Sequence, residues 1–325
     1  MTGRALVVPV DLGGSPHATP MHPPSRPLPS VDLVRALIGH YETERRVDPE
    51  QPVEVAFFHG GLPCKALLGA TEHRAVRIAC LPGDLEPALL ENLLQHRVET
   101  IEIDVGTHQT AHRRSVGRRR SSSALAALVR GLRDRGVRVG VVLTPGLPGT
   151  GHADALADAA WVAELAAVDF VRLQPALAWE STLSAQWVAD GRWTPMTIAE
   201  AITTVEGMMD LLDASGVDVA RVGLQPGADL AGTVSAGPVH PNLRSLVEYR
   251  RFRRRMRSVL ALVPRRRAVE LRVHPADLSW AKGQGNANIR SLRAELRLTG
   301  LSVRPDGDVA RGAVVLGGKG SDPFR

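Results

Sequence analysis

Short, almost continuously apolar runs alternate with segments of helical period along most of this chain. The runs are 5–10 (ALVVPV), 53–58 (VEVAFF), 75–81 (AVRIACL), 100–105 (TIEIDV), 137–143 (VRVGVVL), 170–175 (FVRLQP) and 219–226 (VARVGLQP). They are rich in Val and Ile and apolar on both parities, as strands buried on both faces require. Between them the pattern predicts helices near 31–45, 64–70, 84–96, 121–135, 153–166, 182–189 and 197–214. Strand–helix–strand repetition of this kind demands parallel pairing and right-handed crossovers. Six or seven such units suit an α/β fold with a barrel of the (β/α) type better than an open two-sided sheet. No GxGxxG follows the first strand, which argues against a dinucleotide-binding fold.

The strand ends carry polar residues. Asp11, His59, Asp104, Gln174 and Gln225 all fall at carboxyl ends, which converge on one rim of a barrel, where ligands bind. Glycine and proline at the same ends need no function, since they terminate strands. Past Pro241 the pattern changes to one long helix over 241–264. Leu246, Tyr249, Phe252, Met256, Val259 and Leu260 form its apolar stripe, and Glu248 is the one acid among many arginines. A strand at 268–275, a helix at 286–296 and a strand at 301–305 follow. The expected organisation is a barrel over 1–240, a linking helix over 241–264, a small α/β module over 265–305 and a loose tail over 306–325.

Composition narrows the partners. The formal net charge is +6, and lysine occurs only at Lys65, Lys282 and Lys319, so arginine carries nearly all the positive charge. An anionic partner such as RNA would relieve the crowding of Arg250, Arg251, Arg253, Arg254 and Arg255, with Lys282 beside them. A solvated outer helix in an arginine-rich proteome explains the same charge without a partner. Aromatic residues make up 4% of the chain, too few for a surface of base-stacking platforms. The apolar run near the start is broken by Pro9 and Asp11, which suits neither a signal peptide nor a membrane span. Two cysteines, Cys64 and Cys80, make no disulfide framework, and a reducing cytoplasm is expected.

Several phrases in order resemble one family. They are FFHGG (57–61), VGVVLTPGLPG (139–149), DFVRLQPAL (169–177), VGLQP (222–226) and AGPVHP (236–241). Over about residues 4–250 the chain resembles the elongator-type branch of the radical S-adenosylmethionine superfamily. The resemblance implies a partial (β/α)6 barrel whose first loop holds a 4Fe-4S cluster on three cysteines spaced C-x3-C-x2-C. It also implies S-adenosylmethionine as cofactor, with Gly60, Gly61, Glu102, Arg118 and Gln225 as candidate contacts. At the three cysteine positions this chain has Ser15, Thr19 and His22, while the family's Pro-His pair is kept as Pro16 and His17. Neutral hydroxyls are poor ligands for a soft metal, so no conventional cluster is expected.

The sequence therefore points first to a cluster-less binding or accessory protein, acting on RNA or beside an active radical S-adenosylmethionine paralogue. The alternatives are an active enzyme of that family and an iron-independent enzyme that keeps S-adenosylmethionine. No catalytic residue can be assigned. A zinc site from His17, His22 and His59 with Asp11 or Asp104 has no recognised spacing. The segment Gly283-Gln284-Gly285-Asn286 loosely resembles the glycine loop of KH modules, which clamps a nucleic-acid backbone. The plainer alternative is a helix start capped by Asn286.

Overall fold

The structure, a computed structural model, describes residues 5–15, 18–44, 51–224 and 232–317. The chain divides into two compact units, Met1–Pro241 and Asn242–Arg325.

In the first unit, seven parallel strands form one sheet. They are β1 (Leu6–Asp11), β2 (Val53–Phe58), β3 (Ala75–Cys80), β4 (Val98–Gly106), β5 (Arg138–Leu143), β6 (Phe170–Leu173) and β8 (Asp218–Val222). Their order in the sheet, β1-β2-β3-β4-β5-β6-β8, is their order in the chain. β1 and β8 are the two edges and do not pair among the described residues, so the barrel is incomplete. It has one strand more than a (β/α)6 barrel. The apolar runs earn their place by burial on both faces: Val55, Ala56 and Phe57 of β2, and Val139 and Val141 of β5, are at most 1% exposed.

Helices α1 (Val31–Glu44), α2 (Lys65–Gly69), α3 (Pro87–Leu94), α4 (Thr110–Ser115), α5 (Ser122–Asp134), α6 (His152–Leu165), α7 (Leu183–Ala189) and α8 (Ile198–Ala214) fill the connections. α5 shows why such segments are helical. Leu125, Val129 and Leu132 recur at helical spacing and are buried, and the Ser121 hydroxyl accepts from the Ala124 N–H at 3.2 Å. α8 opens on a capping box between Thr197 and Glu200.

Three features depart from the sequence reading. The helix expected over 84–96 starts only at Pro87, after a 3-10 turn at Pro82–Asp84, because proline suits the first helical position and interrupts earlier ones. α4 was hidden in an arginine-rich stretch without apolar period. A short antiparallel ribbon joins β7 (Ala178–Trp179) to β9 (Val234–Ala236), too brief to show a pattern.

The second unit begins with α9 (Leu243–Leu260). β10 (Ala268–Val273), α10 (Leu278–Lys282), α11 (Ala287–Glu295), β11 (Gly300–Pro305) and β12 (Val314–Leu316) follow. β10 is the central strand, parallel to β11 and antiparallel to β12. β12 falls within the stretch expected to be loose; its three apolar residues pair with Leu271–Val273. Phe252, Met256 and Leu260 of α9 pack with Leu271, Val273, Ala281 and Leu292. The glycine segment does join two helices. Asn286 takes a left-handed conformation with φ 62° and its side chain makes no cap. Asn288 does the joining instead: its Nδ2 donates to Tyr249 O at 2.8 Å and to Trp280 O and Ala281 O at 3.2 Å. No described helix is long and apolar enough to cross a membrane.

Candidate functional site

At the carboxyl ends of the strands lies a cavity of about 90 Å³. His59, Asp104 and Gln174, read from the sequence as rim residues, line it together with Arg118, His22 and Thr144. Asp11 reaches it through His59, whose Nδ1 is 3.5 Å from Asp11 Oδ2. Gln225, Pro16 and His17 lie outside the described residues.

The central constellation is Thr19–His22–Asp104–Arg118. The Thr19 N–H donates to His22 Nδ1 at 2.9 Å, so that nitrogen is an acceptor, and the Thr19 hydroxyl lies 3.0 Å from it. This assigns the proton to Nε2, which donates to Asp104 Oδ2 at 3.0 Å. Both terminal nitrogens of Arg118 donate to Asp104 Oδ1 at 3.0 Å, and one also reaches the Asp104 carbonyl at 2.6 Å. Arg118 Nε is buried without a hydrogen-bond partner among the described residues. Burial pushes the Asp104 carboxyl up, but the Arg118 guanidinium and the His22 hydrogen bond outweigh it and hold it well below the usual carboxylate range.

Gly106, at the end of β4, makes this arrangement fit. Its φ is +68°, and a Cβ there would stand 2.9 Å from Arg118 Nη1. Asp11 forms the second anionic station. It pairs with Arg26, and Oδ1 accepts the Gly13 N–H at 2.8 Å. Burial raises its pKa, yet His59 and the Gly13 N–H bring it below the normal value. His59 itself sits at φ 55°, a left-handed conformation uncommon for a side-chain-bearing residue.

The residues expected to contact a cofactor separate. Gly60 lines the cavity, and a Cβ there would meet Leu12 Cβ at 2.2 Å, so packing against the chain's own first loop demands glycine. Gly61 lies over a neighbouring groove and donates its N–H to Gly14 O at 3.2 Å. Glu102 is 1% exposed and does not line the cavity. It is the hub of an ion network beneath it, accepting from Arg77 Nη1 at 3.0 Å and from Arg172 Nη1 at 2.8 Å. Arg77 also pairs with Glu54. The largely apolar pattern of the strands gave no sign of this network, because its members come from four strands and pair across 23 to 70 residues of sequence.

Cys80, at the end of β3, also lines the cavity; burial first, then Asp84, Asp104 and Glu102, push its thiol well above the ordinary value. Cys64 is exposed.

The loop after β1 can be tested against an iron–sulfur cluster through its donors. The Ser15 hydroxyl donates to Asp84 Oδ1 at 2.8 Å, and Thr19 and His22 are engaged as described. No cysteine occurs in this loop. The Met21 carbonyl accepts from Trp179 Nε1 at 3.0 Å, tying the loop to β7. These donors do not fit a cluster that needs three thiolates. His22 and His59 serve different carboxylates, and no group of three or more His, Cys, Asp or Glu among the described residues could hold a metal ion.

The arginines of α9 divide. Arg251 is 2% exposed and its Nη1 lies 3.3 Å and 3.4 Å from the two Glu248 oxygens, so it is withdrawn from any outside phosphate. Its position three residues after the helix's one acid was the available signal. Arg250, Arg253 and Arg254 are exposed, and Arg255 is half-buried with its guanidinium 5.3 Å from the Phe252 ring centre. Arg253 also pairs with Glu295 at 3.2 Å. Lys282 is half-buried at the end of α10.

No family model and no curated protein matches the chain. Among solved structures, the Elp3 of the archaeon Methanocaldococcus infernus, lacking its N-terminus, is similar at 17% identity with a TM-score of 0.57, over 75% of this chain and 61% of that one. Coproporphyrinogen III oxidase (HemN) from Escherichia coli, a radical SAM enzyme, is similar at 17% identity with a TM-score of 0.48, over 66% of this chain and 54% of that one. This chain thus spans 61% of the Elp3 and 54% of the HemN chain. At such identity the likeness speaks for architecture alone: this chain has the partial-barrel fold of the radical S-adenosylmethionine type.

Proposed function

We propose that this protein is a radical S-adenosylmethionine-type barrel that works without a three-thiolate iron–sulfur cluster, as a ligand-binding or accessory protein whose second unit contacts RNA. One observation carries the first part. Ser15, Thr19 and His22 stand where the family has thiolates, and each is bonded to a protein partner, with His22 anchored on the Asp104–Arg118 pair. Such a loop holds its shape through its own hydrogen bonds.

Anaerobic reconstitution with iron and sulfide tests this. The expected result is iron well below stoichiometry and no charge-transfer absorbance. A stoichiometric 4Fe-4S signal would restore the active-enzyme reading and end this one. Calorimetry with S-adenosylmethionine separates the iron-independent alternative.

RNA contact is supported by the exposed Arg250, Arg253 and Arg254 on α9 and by the glycine turn between α10 and α11 in the same unit. Affinity measured across salt should fall steeply. Replacing Arg250 and Arg254 with Ala should flatten the slope by about 1 to 2 contacts. An unchanged slope would count against it.

A further inference from the structure

Three polar side chains on the cavity wall have hydrogen-bonding capacity that the described residues leave unused. β5 and β6 pair with Val142 opposite Arg172 and Leu143 opposite Leu173. The Gln174 N–H donates to Leu143 O at 2.9 Å, so the pairing continues and brings Thr144 opposite Gln174. Alternate positions of a strand share a face. Arg172 and Gln174 therefore project to one side, beside Thr144, and all three line the cavity.

Arg172 gives Nη1 to Glu102 and rests its guanidinium 5.4 Å from the Phe58 ring centre. Its Nε and Nη2, the Gln174 side-chain amide and the Thr144 hydroxyl have no hydrogen-bond partner among the described residues. The Arg172 side chain is 13% exposed, so these donors face the cavity rather than bulk water. Groups of this kind keep their place when a ligand completes them.

Charge decides what kind of ligand. Both carboxylates near Arg172 already have cationic partners: Glu102 has Arg77 and Arg172, and Asp104 has Arg118. Arg221 of β8 lies opposite Arg172 in register, and its pKa is lowered by burial and by Arg172, a sign of positive potential there. An anion relieves that potential. Because Glu102 shares the Arg172 charge, a single negative charge suffices. The rest of the wall is mixed: Phe58, Leu177 and Trp179 supply its apolar surface, while His22, His59, Asp104 and Arg118 also line it and are engaged with protein partners.

We infer that the cavity binds a small monocarboxylate with an apolar body. Its carboxylate takes the free edge of the Arg172 guanidinium together with the Thr144 hydroxyl and the Gln174 amide, and its body lies against Phe58, Leu177 and Trp179. Glu102 is a positioning residue that holds Arg172 in place. The inference rests on the reading of the mouth as a ligand site free of a cluster.

Calorimetry on the full chain with butyrate as probe tests it, with butyramide as the uncharged isostere. Butyrate should bind with an affinity in the range up to about 10 mM, and butyramide at least tenfold more weakly. Gln174→Leu and Thr144→Val remove donors that no described residue uses; each should weaken butyrate severalfold while leaving the urea midpoint in place. Arg172→Lys keeps a cation for Glu102 but loses the fork, and should weaken butyrate at least tenfold. Equal binding of butyrate and butyramide would overturn the inference. So would unchanged affinity in all three variants, or S-adenosylmethionine binding while butyrate gives no heat. The two ideas fail separately: butyrate without effect leaves the cluster-free reading standing, and a reconstituted cluster beside intact butyrate binding removes only that reading.

Discussion

Replacing Asp104 with Asn gives the sharpest test of how the mouth is held. The change removes one charge and little volume. Arg118, whose side chain is 5% exposed, then keeps only neutral acceptors for a buried guanidinium. Breaking a buried pair by removing one partner costs about 3–5 kcal/mol. Asn retains one acceptor oxygen, and the Asp104 side chain is 24% exposed, so the expected loss is nearer ~2–3 kcal/mol. Tryptophan fluorescence in urea reads it, because Trp161, Trp179, Trp187 and Trp193 are in the first unit and only Trp280 is in the second.

The pH dependence sharpens the test. The folded Asp104 is more acidic than its ordinary 3.8, so its contribution is complete above that value and is lost as pH falls towards the folded pKa. The gap between the wild type and Asp104→Asn should be constant from about pH 7 to 5 and shrink below about 4. Glu99→Gln, in the exposed Arg97–Glu99 pair, should change stability by less than about 0.5 kcal/mol. A loss at Asp104→Asn as small as that control, or a gap that persists unchanged through acid, would refute the assignment.

Other outcomes follow from the same structure. At pH 8 iodoacetamide should label Cys64 and leave Cys80 untouched in the folded protein, read by mass spectrometry; equal labelling would contradict the buried, raised thiol of Cys80. Arg251→Ala should destabilise by about 2 kcal/mol, because it takes the buried guanidinium nearest Glu248 and leaves Arg244 at 4.0 Å, whereas Arg254→Ala should cost less than about 0.5 kcal/mol in the same urea titration. Thr197→Ala should cost about 1 kcal/mol by opening the α8 capping box, and a loss below ~0.3 kcal/mol would mean that the box adds nothing.

The barrel strands were legible because burial on both faces writes itself as unbroken Val and Ile runs. β7 and β9 were not, since two or three residues carry no period. The mouth loop was legible through its position after β1 and through Ser15, Thr19 and His22. What joins it to the barrel was not. His22 and Asp104 are 82 residues apart, and Met21 and Trp179 are 158 apart, distances over which no spacing rule operates. The partners of Glu102 were equally hidden. A candidate contact through the family resemblance, it is bound in the structure to Arg77 and Arg172, 25 and 70 residues away. In α9 the count of arginines suggested a uniform basic face, yet the lone acid draws Arg251 inward.

The strand order has a consequence for how the first unit comes into being. Each strand of β1 to β6 lies beside its immediate predecessor, and β8 is added at the far edge. A nascent chain can therefore lay down the sheet one βα unit at a time, each new strand docking on the one just emerged, with no gap to be filled later. The ties across the mouth obey a different clock. Met21 waits for Trp179, and His22 for Asp104 and Arg118, so the loop after β1 is among the last parts to be fastened.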